Sequence, residues 1–163
     1  MGISRALHPK RHHEITRTLP KRAEKVLDAP GLINDYYLNL IDWGSNNILA
    51  VCLGDGAFIW DPTTQEGRQF YTSDNPLVFP TSIGWAPKSS NLLALGFSNS
   101  KVEIRDLSKD TIVQEVEEHW ARVSVIEWNP VQTNLFSTGS KDCEINHYDL
   151  RAGKTVFNNK GHS

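Results

Sequence analysis

The chain is poor in cysteine: Cys52 and Cys143 are the only two in 163 residues, too few for a disulfide framework. It also lacks any Asn-x-Ser/Thr acceptor, and both absences fit a reducing compartment. No apolar run approaches the ~18–20 residues a membrane-spanning helix needs. Residues 1–10 lead into basic and histidine residues rather than the apolar core of a secretory signal. Met1-Gly2 would suit an acyl anchor, but Ala6 stands where Ser or Thr is required. Catalytic signatures are missing too, with no Gly-x-Ser-x-Gly elbow, no His-Glu-x-x-His and no Gly-Lys-Ser/Thr. Gly54-Asp55-Gly56 opens no helix pattern and reads as a hairpin turn, not a phosphate loop. None of the six histidines pairs with cysteine at zinc spacing. The sequence therefore predicts a non-enzyme without metal or cofactor.

What is present is enough for one globular domain: 39% hydrophobic and 22% charged residues, net charge −2. The charge is unevenly placed. Residues 1–25 carry +5 and the other 138 carry −7. A basic arm, residues 1–24, thus precedes an acidic body. The arm reads as a solvated terminus or as a nuclear-import or acidic-surface contact. Met1 to His13 is nearly free of acid, but Pro9 and the clustered histidines make a poor transit segment. The sign of the body's charge argues against nucleic-acid binding.

Three segments of the body align with one another. Trp43, Trp85 and Trp128 end short β-branched runs and stand 42 and 43 residues apart. Leu49, Leu93 and Phe136, each followed by a small residue, are 44 and 43 apart, and Asp61, Asp106 and Asp149 are 45 and 43 apart. Gly, Pro, Asn and Ser clusters separate the runs, and no sustained 3.6-residue period appears. A repeat of about 40–45 residues ending in Trp-Asp or a variant is that of a WD-repeat β-propeller. The fold class expected is all-β: a partial propeller of about three four-stranded blades out of seven. The blades fall at about 38–61, 81–106 and 123–149, within an incomplete propeller over 25–163.

The third segment holds the fullest polar set, His119, Thr138, Asp142 and Tyr148, at positions where such blades join their strands. A buried Asp needs donors, and an imidazole and a hydroxyl can serve. Tyr148 stands where Trp is usual. These residues read as structural. Trp120, next to His119, reads either as an exposed aromatic for a partner or as a packing residue.

Residues 25–43, KVLDAPGLINDYYLNLIDW, closely resemble the segment that opens the propeller in the Fizzy and Fizzy-related family. Its members are substrate-recognising co-activators of the anaphase-promoting complex. The likeness continues through NNILAVCLG, HWARVSVIEWN and STGSKDCEINHYDLR and covers about residues 17–163. It implies a docking platform that binds destruction-box and KEN-box degrons. By that likeness Asp28 would meet the destruction-box arginine, a charge-assisted contact. Asp35 and Tyr36 would border the KEN pocket. The plainer readings stay open: a turn residue before Ala29-Pro30 for Asp28, and a turn with a packing ring for the other two. The implied partners are anaphase-promoting complex subunits and degron-bearing substrates, with neither nucleic acid nor membrane, and the implied location is nucleus and cytoplasm.

The chain also departs from the family. Gly31 replaces a usual acidic residue, no co-activator box is recognisable in residues 1–24, and no Ser-Pro or Thr-Pro pair occurs. Three blades against seven imply a fragment, a truncated gene model or a degenerate paralogue, marginally stable with open sheet faces. Two functions follow: a degron-binding adaptor carried by Asp28, Asp35 and Tyr36, or a generic WD-repeat scaffold without degron recognition.

Overall fold

The computed structural model describes residues 20–89 and 91–161; residues 1–19, most of the basic arm, lie outside them. The described residues form twelve strands and no helix, so none long and apolar enough to cross a membrane. The strands make three antiparallel sheets, each a meander in chain order. The first comprises β1 (Ile41–Trp43), β2 (Leu49–Leu53), β3 (Gly56–Asp61) and β4 (Glu66–Thr72). The second comprises β5 (Pro80–Trp85), β6 (Leu92–Phe97), β7 (Val102–Asp106) and β8 (Thr111–Val116). The third comprises β9 (Val123–Trp128), β10 (Leu135–Ser140), β11 (Glu144–Asp149) and β12 (Lys154–Lys160). These are three blades of a WD-repeat propeller. Each sheet runs past the Asp at which the repeat was read, because β4, β8 and β12 are largely exposed and polar and carry little apolar alternation.

The repeated Asp has the same local task in every blade. Asp61, Asp106 and Asp149 each end the third strand and accept the backbone N–H two residues on, at 2.7, 3.0 and 2.9 Å. This Asx turn steers the chain into the fourth strand. The hairpin expected at Asp55-Gly56 lies one residue earlier: Gly54 adopts φ 59° and Gly56 already begins β3.

Side chains alternate along each strand, so every sheet has two faces. In the second sheet Ile83, Trp85, Leu93, Leu95 and Phe97 pack towards the first, against Ala50, Cys52 and Ala57. Its other face, with Ala94, Val102 and Ile104, meets Val123, Ile126, Trp128, Phe136 and Tyr148 of the third. The second sheet is covered on both sides, which is why β5 and β6 are almost wholly buried and why β6 reads as a near-continuous apolar run.

Polar links lock the neighbours. Trp85 N–H donates to Asp42 Oδ2 at 2.7 Å, the Thr81 and Ser82 hydroxyls donate to Val123 C=O, and Trp128 Nε1–H donates to Gly84 C=O at 3.1 Å. Small residues allow this approach. A Cβ on Gly96 would lie 2.8 Å from Val123 Cγ1. Gly96→Val is therefore expected to cost about 2 kcal/mol by overpacking this junction. Gly67→Ala, whose Cβ would meet only Ile59 C=O at 3.8 Å, is expected to be near neutral; urea unfolding of both variants checks the contrast.

Candidate functional site

Residues 25–40 lead into β1 and are held at several points. Lys25 Nζ donates to Gln65 Oε1 at 2.6 Å and sits over the Trp60 ring. Gly31, at φ 78°, accepts the Gly54 N–H at 2.8 Å. The acidic residue usual here in the resembled family would be strained at that φ. Further on, Leu40 is buried and its C=O accepts the Cys52 N–H. Asn39 reaches the other sheets, its side chain donating to Ser124 C=O and its C=O accepting the Ile83 N–H.

Within this strap the three residues singled out differ. Asp28 is exposed and, among the described residues, carries neither hydrogen bond nor ion pair. Its carboxylate is open to a cation. Tyr36 is 95% exposed, its ring edge-on to Tyr37 at 5.6 Å. Asp35 is half-buried and engaged. Its Oδ1 accepts the Tyr37 N–H at 2.9 Å and its Oδ2 the Arg122 Nη1–H at 2.8 Å. The Tyr37 amide does most to hold the Asp35 carboxyl below its ordinary range, and Arg122 and Lys141 add to this against partial burial. Arg122 also lies over the Tyr37 ring at 5.9 Å.

Sequence reasoning missed Arg122. It stands 87 positions from Asp35, and only the approach of the third sheet to the strap joins them. The result is a fixed acidic and aromatic corner rather than a free carboxylate. A ligand ammonium reaching Asp35 shares it with a guanidinium.

The third blade brings His119, Asp142 and Thr138 together in the interior. His119 Nδ1 bonds Asp142 Oδ2 at 2.8 Å and Nε2 bonds Thr138 Oγ1 at 2.7 Å. Asp142 also accepts the Trp120 and Glu144 amides. Burial works against ionisation of Asp142, but the Glu144 amide, His119 and the Trp120 amide outweigh it and keep the carboxyl below its ordinary value of 3.8. Tyr148 sits beside this set, its hydroxyl facing Thr138 and Asn146. Its ring stacks on Phe136 at 4.9 Å, and its hydroxyl is buried without a well-formed hydrogen bond among the described residues. Trp120 is 74% exposed, which excludes the packing reading.

Among the described residues no three His, Cys, Asp or Glu side chains converge as a metal site. Cys52 is buried, which pushes its thiol up to about 12.

No protein-family model matches the chain. Curated proteins do. It is 34% identical over 148 residues, 90% of its length, to the anaphase-promoting complex subunit cdc20 of Dictyostelium discoideum, and covers 29% of that protein. It is 35% identical to the WD repeat-containing protein slp1 of Schizosaccharomyces pombe, with 86% of this chain and 28% of that one aligned. Against srw1 of the same yeast the identity is 37%, over 86% and 24%. A chain in a crystal structure of a mitotic checkpoint complex superposes with TM-score 0.80 at 32% identity, over 90% of this chain and 46% of the other. The chain thus spans under a third of these curated relatives.

Proposed function

We propose that this chain, similar over most of its length to co-activators of the Fizzy and Fizzy-related kind, recruits degron-bearing proteins to the anaphase-promoting complex. It works by binding, without catalysis, in nucleus and cytoplasm. The relatives named as complex subunits support the cell-cycle setting. The observation that carries the recognition step is the strap, where unpaired Asp28, exposed Tyr36 and anchored Asp35 lie on one short segment.

In this reading Asp28 takes the arginine of a destruction box. Asp35 and Tyr36 take the lysine and the backbone of a KEN motif, with Arg122 keeping the carboxylate ionised and aimed. A charge-assisted contact contributes about 1.5–3 kcal/mol, or roughly ten- to a hundredfold in affinity. Anisotropy titrations with fluorescent peptides test this. Asp28→Ala should weaken a destruction-box peptide at least about tenfold and leave a KEN peptide unchanged. Asp35→Ala and Tyr36→Ala should do the reverse. A folded chain that binds neither peptide overturns the proposal and leaves a WD-repeat scaffold.

A further inference from the structure

The repeat places Asn39, Thr81 and Ser124 at one position, four residues before Trp43, Trp85 and Trp128. In the second and third sheets that position is a bulge. The β5–β6 ladder pairs Pro80 with Phe97 and Ser82 with Gly96, passing over Thr81. The β9–β10 ladder pairs Val123 with Ser140 and Val125 with Gly139, passing over Ser124. A bulge bends its strand and leaves the extra residue unpaired, so Ser124 needs another partner for its carbonyl.

Three successive carbonyls at the entry to β9 are each taken by a different segment. Arg122 C=O accepts the Lys141 N–H at 3.0 Å, and Val123 C=O accepts the Thr81 and Ser82 hydroxyls at 2.7 and 2.9 Å. Ser124 C=O accepts from Asn39 Nδ2 at 3.0 Å. Thr81 thus reaches one sheet on, while Asn39, with the longer side chain, reaches two. The backbone of Asn39 is tied separately, its C=O accepting the Ile83 N–H at 3.0 Å beside a parallel bridge to Ser82.

The strap is therefore stitched to the entry of β9 at two points, Asp35 to Arg122 and Asn39 to Ser124. The first stitch joins two side chains, and a free arginine has many rotamers to lose. The second runs from a short side chain to a backbone carbonyl and sets how far the strap stands from β9. Gly31, bonded to the Gly54 N–H, pins the other end of the loop.

We propose that Asn39 is a positioning residue, which holds the strap in register with the bulge of β9 and so keeps Asp35 in contact with Arg122. Its effect on ligand affinity rests on the degron reading of that corner. Asn39 contributes to neither apolar cluster, and its backbone ties to Ser82 and Ile83 do not depend on its side chain. Losing the amide loosens the corner without unfolding the blade.

Two readouts on the full chain test this. The first needs no ligand: the titration of the Asp35 carboxyl, followed by side-chain carbon NMR. The Tyr37 amide is the main hold on this carboxyl, with Arg122 and Lys141 adding to it. In Asn39→Ala the midpoint should rise part of the way towards the ordinary carboxylate range, as in Arg122→Met. The double variant should shift no further than Arg122→Met alone, because both act through one contact. The second readout is peptide anisotropy. Asn39→Ala should weaken a KEN peptide about three- to tenfold and leave a destruction-box peptide unchanged, since Asp28 lies beyond the Gly31 tie. Circular dichroism verifies folding, and Asn39→Ser serves if Asn39→Ala misfolds. An unchanged Asp35 titration in a folded variant overturns the proposal, and so does equal weakening of both peptides. A shifted titration in a chain that binds neither peptide upholds the positioning role and removes only the degron reading.

Discussion

Asp142→Ala lowers the unfolding free energy by about 3–5 kcal/mol, the cost typical of removing one partner from a buried pair. The His119 ring and the Trp120 and Glu144 amides all lose their acceptor at once, and the site is closed to the water that could replace it, both side chains being fully buried. His119→Ala should cost less, since Asp142 keeps its two amides. The double variant should cost less than the sum of the two, because the partners share one network. Urea unfolding at equal protein concentration measures all three.

The same group sets a pH dependence. A carboxyl held below its unfolded value contributes stability that is complete above that value and is lost as pH falls through the folded one. Asp142 is lowered as described, Asp106 chiefly by the Ser108 hydroxyl, and Asp149 chiefly by Arg151. Stability should therefore be level from neutrality to about pH 4 on account of these groups and fall below it. In Asp142→Asn the acid limb should be shallower. A limb of unchanged slope would remove Asp142 from the explanation.

Phe136→Ala is the second large effect, at about 3–5 kcal/mol. Phe136 is 1% exposed and its ring stands 5.0 Å from Trp128 and 4.9 Å from Tyr148. Its loss removes both ring contacts and leaves a cavity between the second and third sheets, where β6 and β7 are too rigidly paired to collapse into it. Phe157→Ala is the control. Phe157 is 58% exposed on β12 and should cost less than about 1 kcal/mol. Similar losses in the two variants would mean that the third sheet is not packed on the second as described.

Much of this architecture is legible in the residues. The Trp, Leu-small and Asp anchors recur at one spacing because each blade needs the same inner strand, the same close approach and the same Asx turn. His119 and Asp142 were also legible, since an imidazole and a carboxylate at those blade positions have few other uses. The fourth strands were not. Their ladders are backbone hydrogen bonds, and exposed side chains such as Arg68, Gln69 and Asn158 leave no alternation to detect. Nor did residue types alone show that the Tyr148 ring stacks on Phe136.

By itself the sequence determined what each blade is made of: strand periodicity, turn chemistry, and which positions carry bulk or leave room. These are local matters, settled within some 40 residues by side-chain alternation and backbone preference. Tertiary structure alone decided that Arg122 closes on Asp35 and that the second sheet is covered twice. Those outcomes depend on which sheets lie side by side, and the pairing energy there comes from groups 40 to 90 positions apart that no local pattern connects.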